Sequence, residues 1–397
     1  MNIIKIIWVI IQFIIGYNLV LPLLIYVFWK LINRKKALGQ QQGYQADYAI
    51  IVTAYQYTEM LPSVVASLLK LNYANYIVYV VADNCDIESL NFNDQRVILL
   101  KPVEILASNT RSHLYAIDHF VRTHDRLTII DSDNLVDPEY LNELNKYFDQ
   151  GHVAVQGIRA AKNLDNTLSS LDAARDIYYH FYDGKLLYEV GSSATLAGSG
   201  MAFTVNLYRD FLSENDVKGA GFDKLLQFFL LSKDLKIAFA GEAIVFDEKT
   251  SRSDQLVNQR ARWINTWFRY FKLGFTLLGK GIRNMSLNQI LFGLILLRPP
   301  LFIFILLSGF FMVLNLFMNQ TAFFIWLLCF GSFFISFFVA LGHGKTDARI
   351  YRSLTEIPRF IWFQVISLIK SRNANKRSVS TVHFHKQTFE DLNDKKR

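Results

Sequence analysis

The chain has 397 residues, 52% of them hydrophobic and 19% charged, with 33 Phe and 19 Tyr; so apolar and aromatic a composition excludes a disordered protein and fits one soluble domain plus membrane segments. The formal net charge is +8, but no zinc-ligand spacing, RNA-binding strand signature or basic repeat accompanies it, so nucleic acid is not an expected partner. The two cysteines, Cys85 and Cys329, lie in unrelated segments, which excludes a disulfide framework and a zinc site.

The first segment, residues 1–30, holds the apolar run Ile3 to Phe28, interrupted only by Lys5, Gln12 and Asn18. At about 1.5 Å per residue this run can cross a hydrocarbon core of roughly 30 Å. A cleaved signal peptide fits less well, because the run is too long and no Ala-x-Ala-like site precedes Asn33-Arg34-Lys35-Lys36.

Residues 45–256 alternate short β-rich runs with helical stretches, which predicts a mostly parallel sheet covered on both faces. Tyr48 to Thr53 reads as a buried strand and Leu61 to Leu71 as a helix. Ile77 to Ala82, ending at Asp83, and Arg126 to Ile130 are further strands. In open α/β sheets the ligand crevice lies beyond the carboxyl ends of the strands. Thr53 to Glu59, Asp83 to Asp86 and Asp131 to Asn134 occupy such positions. No glycine-rich loop follows the first strand, where Thr53-Ala54-Tyr55-Gln56-Tyr57 stands instead, which argues against a dehydrogenase or a P-loop NTPase.

The most informative run is Thr128-Ile129-Ile130-Asp131-Ser132-Asp133. If the chain stays extended, period-two alternation puts Asp131 and Asp133 on one side, where both can reach a single Mg²⁺ or Mn²⁺ that also holds substrate phosphates. An Asp-x-Asp pair is also an ordinary solvated turn, as is the Asp83/Asp86 loop. Asp247-Glu248-Lys249 is either a second polar cluster near the site or a solvated loop. His180, among Tyr178, Tyr179 and Tyr182, reads as a packed histidine on a core helix.

Residues 257–298 mix aromatics and cations at helical spacing, in Gln259-Arg260-Ala261-Arg262-Trp263 and then Trp267, Phe268, Arg269, Tyr270 and Phe271, which predicts interfacial helices. Asn288 to Leu297 is another such piece, closed by Arg298-Pro299-Pro300, because paired prolines suit a helix start. Residues 299–341 form a membrane hairpin, with apolar blocks Pro299 to Phe317 and Ala322 to Leu341 around a short polar link. Residues 342–397 form an amphipathic segment and a basic tail, from which Phe384 and His385 can reach back to the site.

Lys30, Arg34, Lys35 and Lys36 follow the first span, Arg283 and Arg298 precede the second, and Lys345, Arg349 and Arg352 follow the third. The positive-inside rule then predicts a multi-pass protein of the plasma membrane with its large domain and C-terminus cytoplasmic. These cations face anionic headgroups, at about 1 kcal/mol each near the surface, so membrane lipids are expected partners. A transporter is disfavoured, since the spans hold no Asp or Glu and no repeated broken helices.

Four motifs, in order across residues 45 to 270, make the chain resemble the inverting family 2 glycosyltransferases and their membrane-bound group, the cellulose, chitin and hyaluronan synthases. They are Asp83 in Val81-Ala82-Asp83-Asn84-Cys85-Asp86, Asp131-Ser132-Asp133, Gly198-Ser199-Gly200-Met201, and Gln259-x-x-Arg262-Trp263. The resemblance implies a GT-A, Rossmann-like α/β domain with one N-terminal and two C-terminal transmembrane helices. It implies that Asp83 contacts the uracil and ribose of a UDP-sugar, that Asp131 contacts nucleotide or sugar, that Asp133 ligates Mg²⁺ or Mn²⁺ on the diphosphate, and that Arg262 supports that diphosphate. Gly198, Ser199, Gly200, Gln259 and Trp263 would hold the acceptor. Arg111 falls where family members carry a basic residue facing the diphosphate, with His113 as the neighbouring candidate.

Family members carry an acidic pair before the last motif, and this chain has Gly221-Phe222-Asp223-Lys224. Asp223 keeps the carboxylate of a general base, while Phe222 replaces its acidic neighbour. The implied reaction transfers a sugar from a UDP-sugar to a β-linked polysaccharide or a lipid-linked acceptor. Three spans suggest a homo-oligomer, a separate export partner or a lipid acceptor. A non-catalytic subunit that binds nucleotide-sugar or glycan to regulate a synthase is the competing expectation.

Overall fold

The computed structural model describes residues 3–32, 45–217, 219–377 and 391. The Arg34, Lys35 and Lys36 cluster and the tail positions Phe384 and His385 lie outside them. Helix α1 (Ile3–Ile32) carries Pro22 in its interior. An eight-stranded sheet and its helices follow: β1 (Tyr48–Tyr55), α2 (Leu61–Leu68), β2 (Tyr76–Asp83), β3 (Val97–Leu100), α3 (Asn109–Asp118), β4 (Arg126–Asp131), β5 (Leu135–Val136), α4 (Tyr140–Phe148), β6 (Ala154–Ala161) and α5 (Thr167–Tyr179). The chain continues through a π-helical stretch, His180–Leu186, into α6 (Leu187–Glu189), β7 (Met201–Thr204), α7 (Val205–Glu214), α8 (Phe222–Ser232) and β8 (Ile237–Asp247).

The sheet order is β3-β2-β1-β4-β7-β6-β8-β5. β1 pairs in parallel with β2 and β4, whereas β7 is antiparallel to both β4 and β6. The expected parallel half is therefore present, and the antiparallel β7 makes the whole sheet mixed. β1 and β2 are nearly continuous apolar runs, Tyr48 to Val52 and Tyr76 to Ala82, and every one of these residues is buried. Parallel strands covered on both faces read this way, and each fully buried Val or Ile side chain contributes about 1.5–3 kcal/mol. Because β1, β2 and β4 run in the same direction, their carboxyl ends bring Tyr55, Asp83 and Asp131 to one edge.

After the sheet come α9 (Ser253–Tyr270), α10 (Leu273–Asn284), α11 (Leu287–Leu297), α12 (Leu301–Met318), α13 (Gln320–His343), α14 (Ala348–Ser353) and α15 (Ile357–Lys370). α1, α12 and α13 are long and apolar enough to cross a membrane. Asn319 closes the tight link between α12 and α13, its side chain accepting from the Ala322 N–H. Gln12 explains one polar interruption in α1: its Oε1 accepts from Asn315 Nδ2 at 2.6 Å and from Trp326 Nε1 at 2.8 Å, joining the three helices. The π-helical stretch joins this bundle to the sheet domain, since Tyr182 Oη donates to the Ser336 carbonyl at 2.9 Å.

Candidate active site

A cavity of about 1400 Å³ opens beyond the carboxyl ends of β1, β2 and β4 and runs to the α12–α13 hairpin. Asp83, Asp131, Asp133, Gly198, Asp223, Gln259, Arg262 and Trp263 all line it. The topology thus gathers most of the expected site residues from positions spread over the whole sheet domain.

Asp83 ends β2 and is buried; its carboxylate accepts the N–H of Leu106 at 3.0 Å and of Ala107 at 2.7 Å. It therefore closes the 106–107 loop over the cavity as well as lining it. Asp131 ends β4, and the chain turns at once, with the Asn134 N–H bonded to the Asp131 carbonyl at 3.1 Å. The expected extended geometry of Asp131-Ser132-Asp133 does not occur. A turn held from outside brings both carboxylates to the cavity instead. Ser199 holds it: its fully buried Oγ accepts from the Asp131 N–H at 3.0 Å and from Asn134 Nδ2 at 2.8 Å. Ser199 and Gly200 lie behind the cavity wall, and within this motif only Gly198 lines it. Gly200 is required by its neighbours, because it has φ +68° and a Cβ there would come within 2.5 Å of Val245 Cγ2.

Asp133 and Asp131 are hard oxygen donors on one turn, as a divalent cation that keeps waters and substrate phosphates prefers. Among the described residues no group of three or more His, Cys, Asp or Glu could hold a metal by itself, so a diphosphate would have to complete such a site. Lys162 supplies a resident cation, its Nζ donating to the Asp133 carbonyl at 3.3 Å. Burial pushes its pKa down, while the Asp133, Glu248 and Asp247 carboxylates act in the opposite direction.

Asp223 sits in the first turn of α8, lining the cavity, with Lys224 Nζ 3.6 Å from its Oδ2. Gly221 precedes it in the left-handed region at φ +101°, and a Cβ there would lie 2.6 Å from Thr266 and 2.7 Å from Tyr270. Only glycine lets α8 start this close to α9. Phe222 also borders the cavity but is buried, and meets His113 edge-on at 5.5 Å. His113 is buried, with Nδ1 2.8 Å from Tyr208 Oη, and desolvation pushes its pKa down to about 3.

α9 lines the cavity with Gln259, Arg260, Arg262, Trp263, Trp267 and Tyr270. Gln259 Oε1 accepts from Thr250 Oγ1 at 3.2 Å, and burial lowers the Arg262 pKa. Trp263 has two cations against its ring, Arg260 at 4.0 Å and Arg175 at 4.6 Å, yet stays 40% exposed. Among the described residues, six buried polar atoms around the same wall have no hydrogen-bond partner: Gln227 Oε1, Arg260 Nε and Nη1, Trp267 Nε1, Tyr270 Oη and Asn375 Oδ1. Unpaired buried donors and acceptors are costly, so this wall is built to meet a polar ligand.

Arg111 does not line the cavity. Its guanidinium forks onto Asp216 on the exposed face of α3, at 3.0 and 2.6 Å. The helix periodicity that turns His113 into the core turns Arg111 away from it.

A buried ionic chain forms one side of the cavity. Arg159 bonds Asp247 at 2.7 Å, and Lys249 reaches Asp247 at 2.8 Å and Asp176 at 2.5 Å. Arg175 pairs with Asp176 at 2.5 Å, and Arg260 with Asp172. Arg298 pairs with Asp183 of the π-helical stretch. The Arg159 and Lys249 cations hold Asp247 at about 2 against the upward pull of burial. Of the two readings of Asp247-Glu248-Lys249, the cluster beside the site is the one that forms. The rest had one faint sequence signal: Asp172, Arg175 and Asp176 at i, i+3 and i+4 on a single helix face.

The sequence profile of the family described as glycosyltransferase like family 2 matches residues 46–266. No curated protein matches the chain. Among solved structures, the mannosyltransferase PcManGT from Pyrobaculum calidifontis, in complex with GDP-Man and Mn²⁺, superposes with a TM-score of 0.55 at 12% identity. That superposition covers 92% of this chain and 97% of the other. S. aureus TarS 1-349 gives a TM-score of 0.39 at 13% identity over 83% of this chain and 90% of its own, too low to add to the argument. The first superposition concerns the fold alone.

Proposed function

Because this chain belongs to glycosyltransferase like family 2, we propose that it is a membrane-embedded, inverting enzyme that moves a sugar from a nucleotide-sugar, a UDP-sugar in the first instance, to a polysaccharide or glycolipid acceptor. One observation carries this reading: Asp83, Asp131, Asp133, Asp223 and the Gln259-Arg262-Trp263 motif line a single cavity. The solved mannosyltransferase was captured with GDP-Man and Mn²⁺, which makes a GDP-sugar the second donor class to test. The large domain lies on the cytoplasmic side by the distribution of Lys and Arg around the spans.

Asp83 and Asp131 receive the nucleoside and its sugar. Asp131 and Asp133 would hold Mg²⁺ or Mn²⁺, which when bound neutralises charge on the departing diphosphate. Arg262 adds a planar cation suited to phosphate oxygens. Asp223 takes the proton of the acceptor hydroxyl as that oxygen attacks the anomeric carbon, so an α-linked donor gives a β-linked product. Gln259 and Trp263 face the acceptor, and Trp267 and Tyr270 extend that wall. Phe222, which stands in place of the acidic neighbour, packs against His113 and borders the cavity, and Asp223 is the carboxylate assigned as base in this reading.

The test is nucleotide release by the full chain in nanodiscs, against UDP- and GDP-sugars with Mg²⁺ or Mn²⁺ and with Asp223→Asn beside it. Metal-dependent turnover lost in the variant supports the enzyme. Donor binding without turnover, across all donors and acceptors offered, would instead favour a regulatory subunit.

A further inference from the structure

The cavity does not stop at the sugar-transfer residues. Its far wall consists of Leu301, Phe302 and Ile305 of α12 with Phe330, Phe333 and Phe337 of α13, both of them candidate membrane spans. α15 also lines the cavity, through Ile357, Phe360 and Ile361 and one polar side chain, Gln364. α15 also presents Trp362 at 63% exposure and Ile369 at 77%, as a helix lying in a membrane interface does.

No cavity-lining side chain of α12 or α13 carries a polar atom. A sugar chain passing here would strip its hydroxyls of water and find no side-chain partner on that wall, whereas a hydrocarbon chain would lose nothing. At the junction of the apolar arm and the polar chamber stands Arg298, paired with Asp183 and 5.4 Å from the Tyr179 ring. Charge and aromatic surface at that level match the headgroup depth of a lipid whose tail lies between the spans.

We propose that the acceptor is the polar head of a membrane lipid, whose hydrocarbon chain occupies the arm between α12, α13 and α15. This inference rests on the glycosyltransferase reading and names its acceptor class. The lipid's acceptor oxygen forms the new bond to the anomeric carbon as the bond to the nucleoside diphosphate breaks. The proton of a hydroxyl head passes to Asp223; a phosphate head attacks as its anion and has no proton to give.

The experiment uses the full chain in phosphatidylcholine nanodiscs with radiolabelled donor sugar. Three acceptors are offered separately: diacylglycerol, a long-chain polyprenyl phosphate, and a water-soluble oligosaccharide. Label that extracts with either lipid supports the proposal, and which of the two carries it separates a hydroxyl head from a phosphate head. Ile305→Trp narrows one wall of the arm and Ile361→Trp the other, so the loss of one variant to misfolding leaves the second. Each should cut lipid labelling about tenfold, equivalent to about 1.4 kcal/mol, with nucleotide-sugar binding retained. Label confined to the soluble oligosaccharide or to a water-soluble polymer, at equal rates in wild type and both variants, overturns the lipid acceptor and leaves the glycosyltransferase standing. Absence of both nucleotide release and donor binding overturns the glycosyltransferase reading itself, and the lipid acceptor with it.

Discussion

Phe222 meets His113 edge to face at 5.5 Å, at the root of the helix that carries Asp223. The contact packs the residue before the proposed base against a buried histidine whose Nδ1 lies 2.8 Å from Tyr208 Oη, so the start of this helix is fixed by the core.

Desolvation lowers the His113 pKa from 6.5 to about 3, so between those values the unfolded chain binds a proton that the folded chain refuses. Stability is therefore complete above pH 6.5 and is lost as the pH falls toward 3, at about 1.4 kcal/mol per pH unit for this one group. Thermal unfolding of His113→Phe in nanodiscs should show a shallower pH dependence than wild type across that window. Identical slopes would mean that His113 is not held neutral.

Gly221→Ala puts a methyl group where 2.6 Å separates it from Thr266, and does so at φ +101°. We expect a loss of about 1–3 kcal/mol and displacement of Asp223, seen as a fall in kcat larger than any change in donor KM. Wild-type kcat in this variant would mean that the α8–α9 contact does not position the base.

Lys249 is 1% exposed between Asp176 and Asp247. Lys249→Met leaves those carboxylates short of a cation, and breaking a buried pair from one side costs about 3–5 kcal/mol. A lower unfolding temperature and poor yield are the expected outcome. Arg111→Ala, by contrast, removes a surface fork onto Asp216 and should leave both stability and turnover at wild-type levels; a large fall in turnover would return Arg111 to the site.

Among the described residues Tyr270 Oη, on the cavity wall, is buried without a partner. If the acceptor supplies that partner, Tyr270→Phe should raise the acceptor KM about 2- to 10-fold, the worth of one hydrogen bond of about 0.5–1.5 kcal/mol, with donor KM constant. An unchanged acceptor KM would mean that the hydroxyl faces no substrate.

Much of the architecture was legible because its causes are local. The strands at Tyr48, Tyr76 and Arg126 announce themselves as apolar β-rich runs, and α1, α12 and α13 as apolar segments of spanning length. The Asp-x-Asp turn and the Gln259-Arg262-Trp263 helix were visible as motifs. Their geometry was not: the sequence alone could not say that Ser199 folds the turn, or that the phase of α3 sends Arg111 outward.

Hydrophobic periodicity and residue type thus determined by themselves the α/β sheet and the three apolar spans, and the resemblance of its motifs to a known family pointed to Asp83, Asp131, Asp133, Asp223 and the Gln259-Arg262-Trp263 helix. Only tertiary structure decided the ionic chain along one side and the apolar arm. Arg159 and Asp247 are 88 residues apart, as are Arg260 and Asp172, and Arg298 and Asp183 are 115 apart. Each pair exists because burial makes an uncompensated charge intolerable, a condition that applies only after distant elements have packed.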